Sequence, residues 1–484
     1  MRNACGDCHD GADGEGGFSL DDLSAPESLL VSSRAWFGAR QRMLDHTMPP
    51  ADAEPIRADL RASITASIQK QVRDAVVKAG VLPGPPQLRR LTRNEFANSI
   101  RDLLNVHLDA AANLPEDNAG GEGFTNASET LSISPIHAEK YVDAITNALQ
   151  YASRDANARK QLFSVRPSDD MPERQAARQN LSRLALAAFR GPLAESELDG
   201  LMSLYDAASD DDDSHQAAML YAMRSILLSP RFLFIAESVS DQAEAPEPLT
   251  PHELATRLSY FLWTTTPDEL LMKSANSGKL TTPDELRRQT IRLLEDRGTH
   301  LRDSMTDFIG QWLGLADLGR AKQVDQQRHD WIEEPHLAGM RNQPVYDFET
   351  LLRKNRPLTE LIDSDHTHLN RFLLEIYKIP RKQIESKIDG QLRWSKLPED
   401  QRHRGGWLGS AGVLAISSYP SRSSPVLRGA WVLEKLMGIE LPPPPPDVPA
   451  LEESASDDQP ASLRDQLAQH RQDASCASCH DRLD

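Results

Sequence analysis

The chain has 484 residues, of which 39% are hydrophobic, 26 are glycine and 4 are cysteine. At roughly 150 residues per domain, this length suggests about three domains, and the apolar content is sufficient for folded cores. Acidic residues outnumber basic ones by 72 to 54, so nucleic acid, which requires a basic surface, is excluded as the main partner. No apolar run is long enough for a transmembrane segment, and the first residues lack the apolar core of an export signal.

Helix signals recur along the chain, whereas strand signals are nearly absent. Thr92 with Glu95 predicts a capping box, with Leu91 and Phe96 as its hydrophobic staple. The apolar residues that follow Phe96 recur at helical spacing and predict one buried stripe. The same capping signal recurs at two further starts, each with proline at the first helical position: Thr250, Pro251 and Glu253, then Thr282, Pro283 and Glu285. The pattern predicts a mainly α fold of several small helical domains.

Changes in composition indicate the domain organisation. Proline and glycine at 83–86 and the mixed stretch 241–248 are predicted linkers, and five consecutive prolines at 442–446 predict a stiff polyproline spacer. The acidic run 210–213 is predicted to be a solvated surface loop rather than a metal site, since adjacent carboxylates repel each other. The predicted domains are 1–82, 87–152, 172–240, 249–380 and a Gly-, Ser- and Pro-rich segment, 402–484.

All four cysteines belong to two C-x-x-C-H motifs, which are the attachment signature of c-type haem. One helical turn brings the two cysteines to the same side, within reach of the haem vinyl groups, and the next residue directs its imidazole at the iron. We therefore predict two haem c groups, each bound covalently through cysteines and ligated by histidine. The first motif contains Cys5, Cys8 and His9, and the second contains Cys476, Cys479 and His480.

Other interpretations of the cysteines remain open. Four thiolates could form a tetrahedral zinc site if the chain ends met, although zinc pairs need no histidine at the following position. A thioredoxin-like redox pair lacks the surrounding βαβ pattern, and plain disulfides are a further alternative.

The two motifs differ in the sixth iron ligand that the sequence offers. Met48, followed by two prolines, is the predicted partner of His9, with Met43 and His46 as neighbouring rivals. A thioether opposite the imidazole closes the iron to outside ligands and suits electron transfer. Only four residues follow His480, so its partner is expected from upstream, and an open position there would suit substrate or peroxide. The unranked candidates are His470, His403, Met437 and Met340.

Several longer motifs carry a resemblance that spans nearly the whole chain. They comprise Cys5 to His9 with Met48-Pro49-Pro50, then 91–96 (LTRNEF), 123–126 (GFTN), 131–135 (LSISP), 228–233 (LSPRFL), 258–263 (LSYFLW), 365–370 (DHTHLN), 404–407 (RGGW), 424–429 (SPVLRG) and the proline run before Cys476. With these motifs the chain resembles the planctomycete-type cytochrome c multidomain proteins, whose segments are described as serial domains of unknown function.

The resemblance implies export to the periplasm, covalent haem at both ends and a role in electron transfer or as an oxidoreductase. Family members begin with an export signal and continue past the second haem motif, and this chain has neither feature. We therefore expect a truncated molecule, in which the second haem would be incompletely housed. Covalent haem attachment needs an oxidation-controlled compartment, so an unexported chain would remain without haem.

Two polar clusters are further candidates. Arg422 and Arg428, in the Gly- and Ser-rich stretch 405–429, are predicted contacts for haem propionates or an anionic substrate, with surface salt bridges as the alternative. The second cluster invites a metal or catalytic interpretation, although such histidines are more often capping or surface groups. It consists of Asp363, Asp365, His366 and His368.

The sequence leads to a ranked set of functions. The first is an exported dihaem c-type protein that passes electrons between a redox partner protein or carrier and another acceptor. The alternative is a haem-dependent oxidoreductase whose helical domains bind a small molecule, such as a carbohydrate. The third is a binding scaffold with zinc at its termini.

Overall fold

The structure is a computed structural model that divides into two compact units. One unit comprises Met1–Pro85 with Ser424–Asp484, and the other comprises Pro86–Ser423. The terminal segments that carry the two C-x-x-C-H motifs therefore belong to the same unit. The residues described are 5, 6, 9, 20, 33–44, 47–49, 53, 55–79, 88–120, 123–210, 214–238, 248–296, 298–320, 324, 325, 327, 329–385, 387–439, 480 and 483.

Helices dominate the described part of both units, which confirms the predicted mainly α fold. In chain order the elements are α1 (Ser33–Leu44), α2 (Ala58–Ala79), β1 (Arg89–Arg90), α3 (Arg93–Leu104), α4 (Pro135–Arg154), α5 (Ala156–Leu162), α6 (Glu173–Phe189), α7 (Glu195–Asp210), α8 (His215–Leu228), α9 (Pro230–Leu233), β2 (Phe234–Ile235), α10 (Pro251–Trp263), α11 (Glu269–Asn276), α12 (Pro283–Leu294), α13 (His300–Trp312), α14 (Glu334–Lys354), β3 (His366–Leu369), α15 (Arg371–Tyr377), β4 (Arg393–Lys396), α16 (Ala411–Ile416) and α17 (Pro425–Trp431). No helix within the described ranges is long and apolar enough to cross a membrane.

Two of the three predicted capping boxes form. Thr92 accepts a hydrogen bond from the Glu95 backbone N–H, and the Glu95 carboxylate accepts one from the Thr92 backbone N–H at 2.9 Å. Thr250 and Glu253 do the same at the start of α10. Because both partners lie within one turn, sequence spacing is enough to predict them.

The third predicted capping box, at Thr282, is wrong. The Thr282 hydroxyl donates instead to the carbonyl of Lys279 at 2.8 Å, and it makes no side-chain cap to α12. The Glu285 carboxylate accepts hydrogen bonds from Ser274 at 2.7 Å and Gln289 at 2.8 Å. A competing donor from α11 has therefore replaced the local partner.

The described residues of the second unit are organised around three apolar clusters. The first lies between Leu91 and Tyr260, the second between Ala255 and Leu293, and the third between Leu318 and Ala411. The stripe predicted after Phe96 is buried in the first cluster, and Phe96 itself is packed edge-on against Tyr141, with ring centroids 4.9 Å apart. Two short antiparallel pairs, β1 with β2 and β3 with β4, join segments that are distant in the chain.

Candidate functional site

The N-terminal part of the first unit has an apolar core against which Cys5, the first residue of the N-terminal C-x-x-C-H motif, packs. Helices α1 and α2 supply most of this core, and both Cys5 and Met48 pack against it while remaining partly buried. The thiol and the thioether thus border one apolar cluster, which fits a largely apolar macrocycle held between them. The cluster consists of Leu20, Trp36, Met43, Ile64, Ile68, Val72 and Ala75. Cys8 and His46 lie outside the described residues.

Backbone hydrogen bonds fix the position of Met48 just beyond the end of α1. Its N–H donates to the carbonyl of Arg42 at 3.1 Å. One N–H group of Arg61, on α2, donates both to the Met43 carbonyl at 2.7 Å and to the Met48 carbonyl at 2.8 Å. The rival Met43 is itself in the core, with 6% of its surface exposed. Met48 therefore lies in a loop beyond α1, whereas Met43 lies within the helix and its apolar core.

Leu483, which follows the C-terminal motif, lies against α17. The backbone of Leu483, three residues after His480, approaches Gly429 so closely that a Cβ there would overlap the Leu483 carbonyl. Beside it, the Nε of Arg428 is buried and has no hydrogen-bond partner among the described residues. A buried guanidinium N–H without a partner among the described residues fits the predicted propionate contact. Cys476 and Cys479 lie outside the described residues.

The stretch 405–429 differs from the loop-like segment that its composition predicts. It contains α16 and leads into α17, so Arg428 projects from a helix. Arg422 belongs to the other unit, where it is exposed and its guanidinium lies over the Tyr419 ring at 4.6 Å. The two arginines are therefore not a pair within one unit.

The four candidate partners of His480 have different surroundings. Met340 is buried in the third apolar cluster, with only 4% of its surface exposed. His403 is exposed and belongs to the second unit, and His470 lies outside the described residues. Met437 belongs to the unit that contains His480, and 61% of its surface is exposed.

The polar cluster at β3 is built around Trp394 and Asp347. His366 is paired with Asp365 at 2.6 Å and stacks on Trp394. His368 donates to the Asp347 carboxylate through both its backbone N–H, at 2.9 Å, and its ring Nδ1, at 2.8 Å. Each histidine therefore has its own carboxylate, and no group of three or more metal-ligating side chains occurs in the described ranges. The metal interpretation of this cluster has no support there.

Sequence reasoning missed Asp347, because it lies about twenty residues from His368 and on a different element. The carboxylate is buried and also accepts from the Thr367 hydroxyl at 2.8 Å. Thr367 in turn accepts from Gln343, which accepts from Tyr377. Burial raises the pKa of Tyr377 and keeps its hydroxyl neutral as a donor. This buried chain of polar groups links α14, α15 and β3, which fits a structural role.

A polar cleft of about 600 Å³ in the second unit was also missed. It lies between α3, α13 and α14, and its lining includes Asn94, Arg101, Asp303, Asp307 and Asn342. These residues come from three helices far apart in the chain, and none belongs to a recognisable local motif. The signal that could have found it is the pair Asp303 and Asp307, which lie one helical turn apart on α13.

Comparisons with known families place four domains in series along this helical chain. The matches are PSD3, a protein of unknown function (DUF1587), at 89–154; PSD5, a protein of unknown function (DUF1595), at 176–237; PSD4, a protein of unknown function (DUF1592), at 249–379; and PSCyt3, a protein of unknown function (DUF1588), at 404–484. No curated protein and no solved structure matches the chain. The class is thus a helical multidomain protein. This series is typical of the planctomycete-type cytochrome c multidomain proteins, and the chain belongs to that family.

Proposed function

We propose that the protein is an exported, periplasmic dihaem cytochrome that transfers electrons between redox partners. The observation that carries this proposal is the position of Cys5 and Met48 on one apolar cluster. Cys5 and Cys8 would hold the first haem, with His9 and Met48 as its axial ligands. When bound, a haem c supplies a one-electron couple, and methionine ligation raises its potential.

The second haem would be held by Cys476 and Cys479, with His480 as the proximal ligand. Met437 is the proposed sixth ligand, because its thioether is exposed within the same unit. Arg428 would pair with a propionate through its buried Nε. Since both terminal segments belong to one unit, we propose that electrons pass between the two haems.

The test is to produce the chain with an added export signal in a host that matures c-type cytochromes. We expect two covalent haems per chain by mass spectrometry, and the long-wavelength absorption band that indicates methionine–iron ligation. Cys5→Ser should leave one covalent haem per chain. Met48→Leu should remove the part of the methionine–iron band that comes from the first haem, and it should lower the reduction potential of that haem. Met43→Leu is the matched control, because it alters the same core without changing the ligand.

Two results would contradict the proposal. A chain that contains zinc and no covalent haem would favour the scaffold alternative. A band and potentials unchanged in Met48→Leu would reject Met48 as a ligand. Met437→Leu tests the second site in the same way, and an unchanged spectrum would reject Met437.

The oxidoreductase alternative has a specific structural observation in its favour, the polar cleft of the second unit. In this alternative, a small molecule would reduce the haems when mixed with the purified protein. Reduction by a sugar in the absence of a protein donor would favour the enzyme, and reduction only by a protein carrier would favour the electron carrier.

A further inference from the structure

The cleft between α3, α13 and α14 has the dimensions and composition of a small-molecule site. Its volume of about 600 Å³ falls within the usual range of ligand pockets, and its wall combines polar side chains with apolar ones such as Leu108 and Val345. The cleft lies within the second unit, so its geometry does not depend on haem. Its charges and hydrogen-bonding groups indicate which class of ligand it would accept.

Two of the three arginines that line the cleft, Arg101 and Arg341, are largely neutralised by the protein itself, and the third, Arg320, also makes an interaction within the chain. Arg101 donates to the Asp303 carboxylate at 2.7 Å and to both oxygens of the Asp102 carboxylate. Arg341 donates to the Leu318 carbonyl at 2.9 Å and pairs with the carboxylate of Glu334. Guanidinium groups that are already paired have little free charge for an anion. An anionic ligand is therefore disfavoured.

The carboxylates are similarly restrained. Asp303 is the partner of Arg101, and Asp307 accepts hydrogen bonds from the side-chain amides of Asn94 at 2.5 Å and Gln311 at 2.9 Å. Burial raises the pKa of Asp307, and the nearby Glu95 acts in the same direction. The third carboxylate of the lining, Asp109, accepts a hydrogen bond from the Ala111 backbone N–H at 2.9 Å. A cationic ligand thus meets no cluster of unpaired carboxylates among the described residues that line the cleft.

The side chains that a ligand could still reach carry no free charge and can form hydrogen bonds. They line the cleft from α3, α13 and α14. The Asn342 side chain lines the cleft from α14 and has no hydrogen-bond partner within the described part of the chain. Asn94 and Asn98 line it from α3, and Thr306 lines it from α13. Asn94 donates to Asp307, Asn98 accepts from Arg101 at 3.1 Å and donates to Thr264 at 3.4 Å, and the Thr306 hydroxyl donates to the Arg302 carbonyl at 2.8 Å. Each amide nitrogen carries a second N–H and each oxygen a second lone pair, so these groups can make one further hydrogen bond. Amide and hydroxyl groups both donate and accept hydrogen bonds. The side chains of the cleft therefore match the hydroxyl groups of a ligand, which also donate and accept hydrogen bonds.

We propose that this cleft binds a neutral polyhydroxylated small molecule, a sugar or a polyol, through the side chains of Asn342, Asn98 and Asp307. The ligand hydroxyls would take the amide and carboxyl hydrogen bonds, and its C–H faces would contact Leu108 and Val345. The small apolar residues of the wall, including Ala97 and Gly310, leave room for a ring.

The proposal is tested with the full chain by saturation-transfer NMR and titration calorimetry. The probes are D-glucose, D-mannose, cellobiose and glycerol, with glucose 6-phosphate and glucosamine as charged counterparts. We expect saturable binding of at least one neutral probe, weakened about ten-fold or more in its charged counterpart. Tighter binding of the charged compounds, or no binding of any neutral probe, would overturn the proposal.

Two variants assign the binding to this cleft. Ala316 is exposed and lines the cleft, so Ala316→Trp should block it without disturbing a core, and binding should fall about ten-fold or more. Ala138→Trp, at an exposed position on α4, is the matched control and should bind normally. Asn342→Ala should weaken binding, whereas Asn147→Ala, on the exposed face of α4, should not. Unchanged binding in Ala316→Trp would place the ligand elsewhere and reject this site.

The outcome is independent of the electron-transfer proposal, because binding is measured in both haem-loaded and haem-free chain. Sugar binding without haem reduction would support the cleft and leave the electron-carrier function intact. Haem loading without sugar binding would reject the cleft alone.

Discussion

The guanidinium of Arg61 donates a hydrogen bond of 2.8 Å to the carbonyl of Met48 and one of 2.7 Å to the carbonyl of Met43. One arginine on α2 therefore joins the end of α1 to the loop that carries the proposed iron ligand. Since a ligand loop that is held before the iron binds loses less conformational entropy, Arg61 is a positioning residue for Met48.

We predict that Arg61→Ala weakens methionine ligation in the haem-loaded protein. The Met48 loop loses its anchor, so the long-wavelength methionine–iron band should decrease and the potential of that haem should fall. Absorption spectroscopy and potentiometry measure both effects. Arg57→Ala is the control, because Arg57 is exposed and, among the described residues, pairs with the nearby Asp59. Equal spectra in the two variants would contradict a positioning role.

Gly429→Ala should displace Leu483, which follows the C-terminal motif, from α17. The new Cβ would overlap the carbonyl of Leu483, which must then move away. We expect faster proteolytic release of the C-terminal tail and a lower yield of the second haem. Limited proteolysis with mass spectrometry reports the first effect whether or not haem is present. Gly38→Ala, in α1 with open space around it, should behave like the unchanged protein; similar cleavage of both variants would refute the prediction.

The cap of α10 should stabilise the protein in a pH-dependent way. Burial alone would raise the pKa of Glu253, but hydrogen bonds from Ser238 and Thr250 outweigh it and lower the pKa to about 2. The charged form is favoured in the folded state, so this stabilisation is complete above pH 4.5 and is lost as the pH falls toward 2.

Glu253→Gln should therefore destabilise the protein by about 1 kcal/mol at neutral pH, with the difference shrinking below pH 4.5. Urea unfolding, monitored by circular dichroism at several pH values, measures this difference in the free energy of unfolding. Glu139→Gln, at an exposed position on α4, is the control and should have little effect. A loss of stability that is constant from neutral pH to pH 2 would show that the Glu253 charge is not responsible.

His300 should have the opposite pH dependence. The hydrogen bond to Asp102, together with Asp296 on the other ring nitrogen, raises the pKa of His300, although burial and Arg101 oppose this. The protonated form is favoured in the folded state. Its stabilisation is thus complete below pH 6.5 and is lost as the pH rises through the higher folded-state pKa.

His300→Gln should accordingly lower the free energy of unfolding more at pH 5.5 than at pH 9, by about 1 kcal/mol at the lower pH. A smaller, pH-independent loss is expected from the stacking of His300 on Trp263, whose ring centroids are 4.6 Å apart. His329→Gln supplies the comparison, because the His329 side chain makes no hydrogen bond to another described residue. Chemical unfolding of both variants at pH 5.5 and pH 9 measures these losses of stability. A loss for His300→Gln that grows toward pH 9 would show that the protonated form of His300 does not stabilise the folded state.

Local signals in the sequence predicted the features whose partners lie within one or two turns. The helical fold, the capping boxes at Thr92 and Thr250 and the family resemblance all follow from short spacings that the printed chain contains. The two C-x-x-C-H motifs are also predicted from spacing within one helical turn, and haem attachment at them stays a prediction. The box at Thr282 failed because Ser274, a donor from another helix, took the Glu285 carboxylate.

Tertiary structure alone brought together groups that are far apart in the chain. It joined Asp347 to His368, placed Leu483 against Gly429, and formed the cleft from α3, α13 and α14. It also assigned Arg422 and Arg428, two predicted contacts for a propionate or anionic substrate, to different units. The physical reason is that local hydrogen bonds depend on spacing along one helix, whereas burial and long-range pairing depend on how several apolar faces pack against each other.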